Sequence, residues 1–178
     1  MTDRDLQQKR IIAALIDIGV AIAISLAFMI VGLVLGVGIG AATDGSGVGG
    51  YVPRILGFLG SILSLGYILG RDIVAGDRSI GKKLQDIRVV TTAGAPITFN
   101  ESARRNGIFA IGAGLGFVSA TLTLIPCLGD AVACMLLPLQ LLGFVVSVGA
   151  AIYEILQITQ QPDGIRFGDK TAGTRVIR

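Results

Sequence analysis

Histidine is absent from this sequence, and charge of either sign is scarce: Lys, Arg, Asp and Glu together make up 15% of its 178 residues. A soluble domain averages about 25%. Without histidine, two cysteines are a poor ligand set for a metal. Nucleophile elbows and phosphate-binding loops ending in Gly-Lys-Ser/Thr are missing too. These absences argue against an enzyme and imply no cofactor.

What takes the place of charge is apolar length. Hydrophobic residues make up 52% of the chain, with a mean hydropathy of +0.77, and they are gathered into runs. From Ile11 to Ala42 the only charged side chain is Asp17; Ile55–Gly70, Ile108–Gly129 and Ala131–Tyr153 contain none. A helix needs about 20 apolar residues to cross about 30 Å of hydrocarbon. The second run spans only if Tyr51–Ile73 is counted, with Arg54 and Arg71 snorkelling at its ends. The first is too long for the apolar segment of a signal peptide, about 7–15 residues, and reads as an uncleaved anchor. The expected fold is therefore an all-α membrane protein: one domain over residues 1–178, a bundle of four transmembrane helices at about 10–41, 52–74, 101–126 and 130–158.

The basic residues orient it. Arg4, Lys9 and Arg10 precede the first helix, and Arg71, Arg78, Lys82, Lys83, Arg88, Arg104 and Arg105 lie between the second and third. Arg166, Lys170, Arg175 and Arg178 follow the fourth, and Arg54 alone falls on the other side. The positive-inside rule places both termini and the 71–105 loop in the cytoplasm of a multi-pass plasma-membrane protein. The net charge of +3 then needs anionic lipid as a partner and no nucleic acid. Cys127 and Cys134, on the far side, read as small apolar residues, with a disulfide as the alternative.

Within the long loop, Leu84–Val90 has strand character, Gly94-Ala95-Pro96 reads as a turn and Ile97-Thr98-Phe99 as a return, which predicts a short cytoplasmic β-hairpin. Asn100 is expected to cap the third helix. Gly32, Gly36 and Gly40 on the first helix, and Gly66 and Gly70 on the second, recur at the spacing that lets backbones approach closely. That spacing suits packing within one chain, and would also serve a homo-oligomer. A weak repeat relates Gly76-Asp77-Arg78-Ser79-Ile80-Gly81 to Gly168-Asp169-Lys170-Thr171-Ala172-Gly173, each leading into a strand-like stretch. It suggests two helix pairs related by an axis along the membrane normal.

Asp17 is the most informative residue. It lies two turns after Arg10 on the same helix face, and a carboxylate at that depth costs about 2.5–3.5 kcal/mol, so it needs a partner or water. Glu154, Asp72 and Arg71 occupy similar depths. Two readings stand side by side: a cation- or proton-binding site, or a buried latch that fixes the fold, made with Arg10, Arg104, Arg105 or the C-terminal segment.

At these residues the chain resembles the RDD family of bacterial and archaeal membrane proteins. Arg10 and Asp17 match the family's Arg and first Asp in Arg10-Ile11-Ile12-Ala13-Ala14-Leu15-Ile16-Asp17. Ser79–Leu84 with Ile87–Val90 resembles its loop motif, Arg105 opens the next helix, and Asp169–Ile177 resembles its closing motif, with Asp169 as the second Asp. Where many members carry His before that Asp, this chain has Gly168. The resemblance implies a membrane address and transport, with sodium–proton exchange ascribed to some members. The expected function is movement of a small ion or solute, possible cation–proton antiport included, with Asp17 as the binding or protonatable group. Arg10 would favour its charged form, and Asp169 would anchor a cytoplasmic gate. The alternative is a non-transporting scaffold that docks a partner or anionic lipid through Lys82, Lys83 and Arg88.

Overall fold

The computed structural model describes residues 3–43, 47–125, 129–160 and 165–177. In chain order its elements are α1 (Asp3–Ala42), α2 (Val48–Gly70), α3 (Ile80–Leu84), β1 (Arg88–Thr91), α4 (Phe99–Leu122), α5 (Gly129–Gln160), α6 (Phe167–Ala172) and β2 (Thr174–Ile177). Each apolar run has become a helix, because in hydrocarbon only intrahelical hydrogen bonds satisfy every backbone group. Among the described residues three are long and apolar enough to cross a membrane: Arg4–Ala42, Val48–Gly70 and Met135–Gln160. The expected count of four is thus met by three. The remaining long helix, α4, carries Glu101, Arg104, Arg105 and Asn106 in its first turns and is diluted by glycine.

Burial is inverted relative to a soluble protein. Val37, Phe144 and Met135 are 67%, 68% and 80% exposed, while the buried set is rich in Arg, Asp, Ser and Asn. Apolar residues cover the outside of the long helices and polar ones line the inside, as a lipid solvent requires.

Glycine brings the helices together inside one chain. A Cβ on Gly36 would come within 2.6 Å of the Pro53 ring and 2.8 Å of the Gly49 carbonyl, and one on Gly32 within 3.1 Å of Pro53 Cα. The glycine stripe of α1 is thus occupied by α2. On α4, a Cβ at Gly112 would collide with Ser147 of α5, whereas Gly114 and Gly116 have nothing within 4 Å. Phe58 of α2 stacks on Phe117 of α4 at 5.6 Å between centroids.

Two helix boundaries differ from expectation for local reasons. Thr98, not Asn100, precedes α4: Glu101 Oε2 accepts from the Thr98 amide at 2.7 Å and from its hydroxyl at 3.1 Å, so Asn100 falls inside the helix. α2 stops at Gly70, and Arg71 and Asp72 begin a turn rather than a last helical turn. The two cysteine positions lie outside the residues whose side chains are described.

The predicted hairpin is only a remnant. Gly94 turns the chain at φ +86°, and Val90 makes a lone bridge to Pro96. The ladder of β1 is made instead with the C-terminal β2, antiparallel, with Arg88 opposite Ile177, Val89 opposite Val176, Val90 opposite Arg175 and Thr91 opposite Thr174. This sheet closes over the base of α1. Ala13, Ile87, Val89, Ile97 and Val176 form its buried core, with Leu6 and Ile73 packed against it.

The repeat is present but in a different register. Asp77 sits on an exposed turn at φ +56° and does not correspond to the buried Asp169. The counterpart of Gly168 is Gly81: one constant spacing separates Gly81 from Gly168, Lys83 from Lys170, Arg88 from Arg175 and Val89 from Val176. The strand register obeys the same relation, since Val89 faces its own counterpart and the flanking pairs exchange under a two-fold rotation. A Cβ on Gly81 would collide with the Ala13 carbonyl of α1, and a Cβ on Gly168 with the Arg105 carbonyl of α4. Each short helix therefore presses its glycine onto the backbone of a long one.

Candidate functional site

The two glycine contacts set the frame of a buried charge cluster. With α3 flush against α1, the Gly81 amide donates to Asp17 Oδ1 at 2.8 Å, and Tyr67 Oη of α2 donates to the same oxygen at 3.0 Å. With α6 flush against α4, the Gly168 amide donates to Glu154 Oε1 of α5 at 3.2 Å. Two carboxylates on long helices thus receive the amides of two short ones, which ties the cap to the helices beneath it.

Asp169 is the hub. Arg10 Nη2 lies 2.5 Å from its Oδ2, while Arg105 Nη2 and Arg166 Nε lie 2.9 and 3.3 Å from its Oδ1. Arg166 also places Nη1 3.0 Å from Glu154 Oε2. Asp72 is a second hub: it pairs with Lys82, accepts from Asn106 Nδ2 at 2.9 Å and lies 3.5 Å from Arg105 Nε. Arg71 Nε donates to Asn106 Oδ1 at 2.9 Å, and the Arg71 guanidinium stacks over Phe109, 5.0 Å from its centroid. Ser102 Oγ donates to the Leu69 carbonyl at 2.7 Å and holds α4 to the end of α2.

Burial alone would push both hub carboxyls up. The surrounding cations reverse this. Lys82, then Arg105 and Arg71, hold Asp72 well below the usual carboxylate range, and Arg105, Arg166 and Arg10 do the same for Asp169. The cations divide. Burial pushes Lys82 down to about 7 despite Asp72, whereas Asp169 and Glu154 outweigh burial at Arg166 and raise it.

All six residues picked from the sequence, Arg10, Asp17, Asp72, Arg105, Glu154 and Asp169, meet in this cluster. Their pairing differs from expectation. Arg10 pairs with Asp169 across nearly the whole chain, and the hydrogen bonds of Asp17 come from Tyr67 and the α3 amide. Arg104 is exposed. Sequence reasoning missed Lys82, which is buried rather than part of a basic surface, and also Asn106, Arg166 and Tyr67. The signal that could have found Lys82 and Arg166 is the Gly81–Gly168 spacing, since Lys82 follows Gly81 directly and Arg166 stands two residues before Gly168.

Within the cluster lies a void of about 10 Å³, lined by Arg10, Ala14, Asp17, Arg71, Lys82, Arg105, Ile158, Arg166 and Val176. Among the described residues no group of His, Cys, Asp and Glu is placed to hold a metal ion. A polar seam leads away along α2. Ser64, one turn from Tyr67, lies 2.7 Å from Ser25 Oγ of α1. Ser25 in turn lines an opening of about 360 Å³ together with Arg54, Gly57, Gly60, Ser61 and Gln140.

The family model described as the RDD family matches residues 7–173. No curated protein and no solved structure matches the chain.

Proposed function

Because this chain belongs to the RDD family and is a membrane protein, we propose that it moves a small ion or solute across the plasma membrane, with the charge cluster as its binding station. The observation that supports this is the seam. Asp17 lines the void, Tyr67 bonds to Asp17, Ser64 lies a turn beyond, and Ser25 joins Ser64 to the opening at Arg54 and Gln140. Polar groups inside an apolar bundle are costly and tend to mark ion and solute pathways. Cation–proton exchange is the form of this activity in which Asp17 is the protonatable group.

The reading includes four crossings, both termini in the cytoplasm and assembly as a homo-oligomer. Arg10, Arg71, Arg105, Glu154 and Asp169 meet at one end of the molecule. α4 begins at that end and α5 finishes there, which supports α4 as the crossing that precedes the return of α5. Its deficit in apolar residues is offset by burying Arg105 and Asn106 among partners.

Flux into sealed liposomes tests the proposal. Chloride, sodium, potassium or lithium is pulsed outside, with ion- and pH-sensitive dyes inside, and Asp17→Asn is run in parallel. Flux that falls at least about ten-fold in the mutant is expected; folded protein without flux of any kind removes the reading. The scaffold alternative is favoured by a separate observation: Lys83, Arg88, Lys170 and Arg175 are all exposed and related by the two-fold repeat. Under that reading charge reversal at Lys83 and Arg88 abolishes the cellular phenotype, and Asp17→Asn leaves it intact.

A further inference from the structure

The void inside the charge cluster is small, and the polar groups around it are incompletely paired. At about 10 Å³ it admits the centre of one water-sized sphere and nothing larger. Arg105 and Arg166, 1% and 4% exposed, both line it, and Arg105 Nη1 and Arg166 Nη2 have no hydrogen-bond partner. Arg105 Nε lacks one too, out of line with Asp72 at 3.5 Å. Asp17 also lines the void and is 2% exposed. Tyr67 and the Gly81 amide both donate to its Oδ1, so Oδ2 receives neither. A buried N–H without an acceptor is unfavourable, and so is a buried carboxylate oxygen without a donor.

Two spare donors and one spare acceptor, on side chains from three separate segments, thus belong to residues that border one space. We propose that the void holds one ordered water, which accepts from Arg105 Nη1 and Arg166 Nη2 and donates to Asp17 Oδ2. Three hydrogen bonds are the usual complement of a buried water. Size and chemistry exclude other ligands. Halides, phosphate and carboxylates are larger than the space, and a metal cation needs several oxygen ligands where the lining side chains supply a single carboxylate. A dry void is the remaining alternative, but empty cavities are apolar ones.

The water makes a connection that no direct contact makes. Asp17 forms no ion pair with Arg105 or Arg166, whose carboxylate partners are Asp72, Asp169 and Glu154. The bridge therefore joins the carboxylate of α1 to the guanidinium groups of α4 and of the segment that enters α6. It stands on the void and the unpaired atoms and is independent of flux. Under the transport reading, it is also the molecule that an incoming ion or solute displaces at Asp17.

A structure of the full chain in nanodiscs, at a resolution that shows single waters, tests the proposal. Density within about 2.7–3.2 Å of all three atoms is expected. An empty void overturns the proposal, as does density within reach of only one of the three. Ala14 lines the same space, and thermal melting of two variants there reads the water independently. Ala14→Val fills the space with carbon and expels the water, leaving three polar groups unpaired, and should lower the melting temperature by about 5 °C. Ala14→Ser brings a hydroxyl in its place and should recover at least about half of that loss. Serine and valine have similar helix propensities, so the difference between the two variants reports on the void. In a dry void the added methyl groups would only fill a cavity, and an Ala14→Val protein that melts at or above the parent temperature overturns the proposal. If Ala14→Val does not fold, the density in the unaltered protein decides. A bridging water without flux keeps the bridge and removes the transport reading. Flux through a protein whose void is empty does the reverse.

Discussion

Gly81 and Gly168 carry the structure at the residue scale. Each amide reaches its carboxylate only because the short helix lies directly on a long-helix carbonyl. Gly81→Ala and Gly168→Ala should each cost about 1–3 kcal/mol, since overpacking against backbone cannot be relieved by a rotamer change. Gly19→Ala, with nothing within 4 Å, should be neutral or slightly stabilising through helix propensity. Thermal melting in detergent checks all three. Lys82 supplies a pH dependence. Burial depresses it to about 7, with Asp72 opposing and Arg105, Arg166 and Arg71 adding to the shift. Between about pH 7 and 10 the unfolded chain therefore holds a proton that the folded chain has lost, so this group makes stability rise with pH in that window. Below pH 7 its contribution is flat. Asp72 and Asp169, held low in the fold, act in the opposite range. They stabilise above the ordinary carboxylate pKa of about 4, and that stability is lost as acid titrates them below it. A melting series across pH should show both limbs, and Lys82→Met should abolish the alkaline one alone.

The elements of the cap are where expectation and structure parted. Both halves of a hairpin were legible: strand residues at 87–90, and the Gly94-Ala95-Pro96 turn, which does form. What the local pattern could not reveal is that a better partner lies at the other end of the chain. β2 offers four consecutive pairs, and Val176 completes an apolar core with Val89 and Ala13, while the 97–99 return offers one bridge. Ile97 joins that core as a buried side chain instead of a strand partner. The pairing is testable. In a background with both native cysteines changed to Ser, Val89→Cys and Val176→Cys should crosslink on mild oxidation, since directly opposed residues have Cβ atoms about 4.5–5.5 Å apart. Val89→Cys with Arg175→Cys, whose side chains point to opposite faces of the sheet, should crosslink far less.

For the whole molecule, the contact of Arg10 with Asp169 places the beginning of α1 and the segment after α5 at one end. Single cysteines at Arg4 and Arg175 should therefore react with a membrane-impermeant thiol reagent from the same side of a sealed vesicle, and one at Arg54 only from the other. Labelling of the first two from opposite sides would mean an odd number of crossings. The sequence by itself determined the solvent. Long runs with almost no charge can be helices in lipid and little else; the placement of Lys and Arg predicts their direction, which the thiol labelling checks. It also singled out the residues of the cluster, because a charged side chain within such a run is too costly to lack a function or a partner. Tertiary structure decided who the partners are. Carboxylate and guanidinium groups pair with whatever the helix packing brings within reach, and that packing turns on two glycines whose role is invisible until α3 and α6 are seen lying on the carbonyls of Ala13 and Arg105. The void is likewise a property of the assembled end of the molecule, where Arg10, Arg71, Lys82, Arg105 and Arg166 from separate segments line one space.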